Sequence, residues 1–316
     1  MPSIPESLIN RHKTLTEFVN SQTSSIDRST FWQKRSPQFS AVLTPNGYEN
    51  RGEANNLPEL VGNPSVCGHR SGTELATPEE FIRATRGALG KINQAPVFET
   101  ELSDDSIVIS GNPLVPDFLL CKAIFCFSRI IGSAVDLPVN RGTVLEIGAG
   151  SGTLAALMYA ERNDCVVIID LPEMILVSSA FLMTLFPGAQ FSLPHEISGE
   201  QKNDLSDNDF VFLFPDQVEH LADEMFDLAL NLVSFMEMKQ QQVNEYFSLV
   251  GRTLRTGGYF FSSNRDKGLP LALYPWHEFA DYIPIFREPN WFMQQFPPWS
   301  AGGEMAVIDD LRKKKF

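Results

Sequence analysis

Read as a string of apolar and polar positions, the chain changes character at about residue 142. Before it, Leu8, Ile9, Leu15, Phe18 and Val19 recur at three-and-four spacing and predict an N-terminal helix. From residue 30 to 72 that period is lost. Pro, Gly, Asn and Ser surround isolated aromatics, as in Phe31-Trp32 and Thr44-Pro45-Asn46-Gly47-Tyr48, which is the composition of ordered loops. Thr77-Pro78-Glu79-Glu80 then starts a helix running to about Leu89, with Thr77 as N-cap, Pro78 at the first position and acids in the first turn. Residues 106–110 predict a short strand and Gly111-Asn112-Pro113 a turn. Residues 116–134 predict an apolar helix packed against a sheet edge.

After residue 142 short apolar runs alternate with helical periodicity. Apolar runs end at Gly148, at Asp170, at Phe214, in the stretch Asn231 to Glu237, and at Asn264, making five strands. Between them lie helix-compatible stretches, one starting at Pro172 and stopped by Pro187-Gly188, another over 239–254 with Val243, Tyr246, Phe247 and Val250 on one face. Residues 189–207 read as a long polar connection, and 283–286 and 304–308 as two terminal strands. Such alternation is what a mostly parallel sheet covered by helices requires. The expectation is an α/β chain, with residues 1–141 as an N-terminal helical and loop region for substrate recognition and 142–316 as the ligand-binding unit.

Composition narrows the partners. A formal net charge of -14 argues against nucleic acid and anionic membranes, which are held by basic patches. The basic run Arg312 to Lys315 reads as a solvated tail. Cys67, Cys121, Cys126 and Cys165 form no C-x-x-C pair and no zinc-finger spacing, and read as reduced, mostly buried thiols. Residues 1–20 have no apolar signal core, and the most apolar stretch, 118–135, is broken by Lys122 and Arg129. A soluble cytoplasmic protein without a metal is expected.

The chemistry concentrates at Thr143-Val-Leu-Glu-Ile-Gly148-Ala149-Gly150-Ser-Gly152 and the second run ending on Asp170. Strand, glycine turn, helix, strand, acid is the first half of a nucleotide-binding βαβ unit, with the acid placed for ribose hydroxyls. G-x-G-x-G is one residue shorter than the turn that seats a dinucleotide pyrophosphate. Glu146, just before the turn, would repel phosphate but suit an ammonium group. S-adenosylmethionine satisfies both ends.

In wording and spacing this stretch resembles the Rossmann-like S-adenosylmethionine-dependent methyltransferases. That resemblance implies a seven-stranded, mostly parallel sheet with one terminal strand antiparallel to the rest. It also implies cofactor contacts at Glu146, Gly148, Ala149, Gly150, Gly152, Asp170 and Leu171, and at Asn231 and Ser234 beyond the fourth strand. In the same pattern an acid after the third strand holds the adenine edge, here Asp216 with Gln217 beside it, although Asp216 is equally placed to cap the short helix that follows. Gly111-Asn112-Pro113, Phe226-Asp227…Asn231…Ser234-Phe-Met-Glu237-Met, Tyr246-Phe247 and Gly258-Tyr-Phe-Phe-Ser-Ser-Asn264 together resemble sugar O-methyltransferases of polysaccharide and natural-product pathways. A sugar hydroxyl needs a base. Glu237 and His277 are the candidates, with a structural hydrogen bond and simple packing as their respective alternatives; His195 and His220 read as structural or solvated. The expected partner is a small-molecule acceptor, and the chain could also form a homo-oligomer. Two other readings stay open: N- or O-methylation of a non-sugar natural product, and a non-catalytic S-adenosylmethionine-binding protein acting through a partner.

Overall fold

The computed structural model describes residues 3–22, 26–28, 30–35, 38–51, 77–92, 100–103, 105–134, 136–197, 205–265, 274–275, 281–296, 300 and 306–315. In chain order the helices are α1 (Glu6–Gln22), α2 (Thr30–Arg35), α3 (Pro78–Leu89), α4 (Phe118–Ser133), α5 (Thr153–Arg162), α6 (Pro172–Leu185) and α7 (Gln240–Thr253). The N-terminal strands are β1 (Ala41–Thr44), β2 (Gly47–Asn50), β3 (Glu101–Leu102), β4 (Ile107–Ile109) and β5 (Asn112–Leu114). The central strands are β6 (Thr143–Ile147), β7 (Cys165–Ile169), β8 (Phe191–Ser192), β9 (Phe210–Leu213), β10 (Phe226–Leu232), β11 (Leu254–Arg265), β12 (Tyr282–Pro289) and β13 (Val307–Lys314).

β6 to β13 form one sheet in the order β12-β13-β11-β10-β6-β7-β9-β8. All neighbours are parallel except at β13, which runs antiparallel to both β11 and β12. The α/β expectation holds, with one strand more than the seven anticipated. The addition is β8, inside the stretch read as a polar connection: Phe191 pairs opposite Phe210 and stacks on its ring at 5.4 Å, so one aromatic pair is enough to recruit two residues to the edge. The basic run also departs from expectation. Arg312 to Lys314 lie in β13, where Lys314 Nζ donates to the Leu254 carbonyl at 2.7 Å and Arg312 Nε to Asp310 Oδ1 at 2.8 Å, so local carboxylates and carbonyls absorb the charge. Ala41 to Asn50, read as loop, is a β-hairpin whose Ala41, Leu43 and Tyr48 are buried.

Residue parity divides the sheet into two faces. Val144, Val166, Ile168, Phe212, Leu230 and Phe261 pack with α4, α5 and α6 in one cluster, joined by Leu8, Leu15, Phe81, Ile107 and Phe118 from the N-terminal region. Leu145, Val167, Ile169, Val211, Ala229 and Phe260 face the other way, onto Val243, Phe247 and Val250 of α7. The N-terminal region therefore shares a core with the first face. α1 packs on α6, and α3 on α4. α3 starts as its sequence dictates, with Thr77 accepting from the Glu80 N–H and the Glu80 carboxylate accepting from the Thr77 N–H at 2.7 Å. α4 reaches the β12–β13 edge through Arg129, which donates to Asp309 Oδ2 at 2.7 Å and to Glu288 Oε2 at 2.5 Å, its guanidinium 4.4 Å from the ring centres of Phe286 and Trp291. No helix among the described residues is long and apolar enough to cross a membrane. Cys121, Cys126 and Cys165 are buried; Cys67 lies outside the described residues.

Candidate functional site

Parallel strands β6, β7 and β10 end together, and the connections beyond their carboxyl ends wall a cavity of about 850 Å³. Ligands of open α/β sheets bind at such ends. The glycine turn forms its floor. Gly148, Gly150 and Gly152 have φ of +72°, +62° and +80°, left-handed values that cost other residues energy. Space separates their roles: a Cβ on Gly148 would overlap the Ser234 hydroxyl, one on Gly152 would press on Leu182 and Ser178, whereas Gly150 has open space around it. The first and third glycines thus let structure close in, and the second leaves room for a ligand.

Two carboxyls flank the turn. Asp170, at the end of β7, accepts from the Gly150 N–H at 2.9 Å and the Leu171 N–H at 2.8 Å, which ties the turn to the second strand. Burial raises its pKa to about 7, against the pull of those two amides. Glu146 is 2% exposed, and burial, aided by the charge of Asp170, pushes it up to about 8. Its Oε2 has no hydrogen-bond partner. A buried carboxyl oxygen without a donor is costly unless a ligand supplies one.

The loop after β10 makes the opposing wall. Val233 sits at φ +65°, a strained value for a β-branched residue, held by its N–H donating to the Ser263 carbonyl at 2.8 Å. This bend brings Ser234, Glu237 and Met238 to the cavity. Beneath it, Asn231 is fully buried and donates to the Ile147 carbonyl at 2.9 Å and to Ser234 Oγ at 2.5 Å, while its Oδ1 accepts from Asn264 at 2.8 Å and from the Phe235 N–H at 3.2 Å. Asn231 therefore positions the loop and does not line the cavity.

Of the residues singled out from the sequence, Glu146, Gly148, Ala149, Gly150, Asp170, Leu171, Ser234 and Glu237 converge on the cavity. Gly152 caps α5 just behind it. Asp216 and Gln217 do not line it: Pro215 does, while Asp216 is exposed and Gln217 is spent on the Phe214 N–H at 2.9 Å and the Pro194 carbonyl at 2.9 Å. The N-cap role considered for Asp216 also goes elsewhere, since the cap is Phe214 and Gln217 satisfies its N–H. His277 lies outside the described residues, and His195 packs on Phe18 away from the cavity.

Sequence periodicity missed the remaining wall. Asp27, Arg28, Trp32, Gln38 and Phe39 come from the N-terminal region, Phe118, Leu119 and Lys122 from α4, Gln242 and Tyr246 from α7, and Met293 from the C-terminal part. The segment around α2 is clipped down on both sides. Arg28 pairs with Glu173 of α6 at 3.0 Å, and Asp27 receives Lys239 Nζ at 2.5 Å. Lys122 was visible only as a charge interrupting an apolar helix. Desolvation lowers its pKa, opposed by Cys126, Glu237, Glu146 and Asp117.

No protein-family model matches the chain, and comparison with curated proteins found no match. Among solved structures, the chain is similar to Haemonchus contortus phosphoethanolamine N-methyltransferase 1 in complex with phosphoethanolamine and S-adenosylhomocysteine, at 12% identity, over 76% of this chain and 50% of that one, with a TM-score of 0.43. It is also similar to geranyl diphosphate methyltransferase in complex with SAM, at 10% identity over 60% and 85% of the two chains, TM-score 0.42. Haemonchus contortus phosphoethanolamine N-methyltransferase 2 aligns at 13% identity over 58% and 52%, TM-score 0.39.

Proposed function

We propose that the chain is an S-adenosylmethionine-dependent methyltransferase acting on a hydroxyl of a sugar or glycosylated small molecule. The observation that carries this reading is the buried Glu146, whose free oxygen lies on the same cavity as an open, left-handed glycine turn and Asp170. Glu146 suits the cofactor's ammonium, Asp170 retains lone pairs for its ribose hydroxyls, and Gly150 admits the ligand against backbone. When bound, the cofactor supplies an electrophilic methyl group on sulfur. The chain's part is to hold the acceptor oxygen in line with that methyl, exclude water and take the acceptor's proton. Orientation of this kind is worth up to about 7–11 kcal/mol. Glu237 is the proton acceptor in this reading, since it is the carboxylate of the β10 loop that reaches the cavity.

The sugar assignment is supported by Asp27 and Gln38, which offer polar groups for hydroxyls on the cavity wall, and by Trp32, which offers a stacking face. Phe39, Phe118, Leu119 and Met293 favour the second reading, N- or O-methylation of a non-sugar natural product with an apolar body. Incubating the protein with methyl-labelled S-adenosylmethionine and an extract of the producing cells tests the proposal. Label in a saccharide or glycoside supports it. Label confined to an aglycone moves the assignment to the second reading, and no transfer to any acceptor argues against catalysis.

A further inference from the structure

Glu146 shares the cavity with a group of the opposite sign. Lys122 of α4 lines the same cavity, yet it makes no hydrogen bond and no ion pair within 4.0 Å with any described residue. Its influence on Glu146 and Glu237 is felt only through space. An ammonium has three donors and no other way to recover lost hydration, so a desolvated lysine on a cavity wall calls for an acceptor from the ligand. The other cations of the wall are less suited. The Nε–Nη2 edge of the Arg28 guanidinium is engaged by Glu173, at 3.2 and 3.0 Å, and its Nη1 donates to the Ile26 carbonyl at 3.1 Å, while Lys34 is exposed, where an ion pair contributes little.

The α-amino-acid end of S-adenosylmethionine carries an ammonium and a carboxylate on one carbon. Glu146 has an unused acceptor and Lys122 unused donors, and the two groups interact electrostatically on one cavity. We propose that Lys122 binds the cofactor carboxylate, so that Glu146 and Lys122 form a two-signed clamp on the zwitterion. This rests on the cofactor reading above. It assigns to α4, a helix outside the βαβ unit, a direct part in holding the methyl donor. It also gives a function to a charge that interrupts the apolar run of α4.

The test separates the amino-acid end from the nucleoside. Wild type and Lys122→Met are titrated calorimetrically with S-adenosylhomocysteine and with 5′-methylthioadenosine, a thioether of the same nucleoside that lacks the amino-acid end. The variant should bind S-adenosylhomocysteine roughly 10- to 100-fold more weakly, as expected for a lost charged hydrogen bond, with 5′-methylthioadenosine affinity unchanged. Retained binding of the truncated ligand also shows that the variant is folded. Lys122→Gln must show the same selective loss, and Lys122→Arg should recover part of it. Unchanged S-adenosylhomocysteine affinity, or equal losses for both ligands, overturns the clamp while leaving the cofactor reading intact. Failure of the wild type to bind either ligand overturns both.

Discussion

Three residues decide whether the cavity can hold a nucleoside. Asp170 stabilises the glycine turn through Gly150 and is the candidate ribose contact. Asp170→Ala should weaken cofactor binding by about 1.5–3 kcal/mol, the range for hydrogen bonds to a charged group, and lower the melting temperature modestly by freeing the Gly150 and Leu171 N–H groups; unchanged affinity would place the ribose elsewhere. Gly148 is the tightest of the three glycines, overlapped by Ser234 if given a side chain. Gly148→Ala should therefore displace the β10 loop and impair both binding and turnover, whereas Gly150→Ala should leave the fold intact and act on ligand binding alone. Glu237→Gln should lower turnover by roughly 10²–10⁴-fold with cofactor affinity retained, read from kcat against a direct titration. Near-normal turnover would make Glu237 structural.

The residues legible in sequence are those whose chemistry is local. Glycines at one spacing, an acid before the turn and an acid after the next strand all lie within a single βαβ unit, so their convergence follows from chain geometry. Asn231 shows the limit: its place near the fourth strand end was visible, but not that four internal hydrogen bonds use it up. Lys122, Trp32 and Gln242 were not readable as site residues. They lie far apart in sequence and meet only once α2, α4 and α7 are packed.

At the scale of elements, continuous apolar runs mark the buried strands, and alternate residues along them divide between the two apolar clusters. Propensity failed where tertiary pairing won. β13 carries two acids and three basic residues, yet it is the inner antiparallel strand because Arg129 on α4 meets Asp309, and Asp310 takes Arg312. This buried pair anchors α4 to the far end of the sheet, with side chains 4% and 0% exposed. Arg129→Met should destabilise the fold by about 3–5 kcal/mol in chemical denaturation, because it leaves Asp309 charged and unpaired; pairing it with Asp309→Leu should recover much of that loss. A small effect of the single change would show that α4 is held by its apolar contacts alone.

For the whole molecule, buried titratable groups store a pH dependence. The folded-state pKa values of Glu146, Asp170 and Asp117 are raised from 4.5, 3.8 and 3.8 to about 8, 7 and 7, chiefly by burial. A raised carboxyl pKa gives stability that is complete below the unfolded value and lost as pH rises through the folded value. His12, lowered to about 4 by burial, works in the opposite sense: its contribution is present above 6.5 and is lost as pH falls. The unliganded protein should consequently lose stability as pH rises from about 4.5 to 8, more gently below 6.5 where His12 opposes the carboxyls, and level off above that; denaturation midpoints across that range check it. A flat profile would mean that these carboxyls are hydrated.

The same raised Glu146 makes cofactor binding proton-linked, since an ammonium beside it favours the carboxylate. The most direct test of the account is a calorimetric titration of the folded protein with S-adenosylmethionine and S-adenosylhomocysteine at pH 7, in two buffers of different ionisation enthalpy. The account predicts saturable binding of one cofactor per chain with release of a proton, seen as a heat that changes with buffer. Absence of saturable binding for both compounds would contradict it.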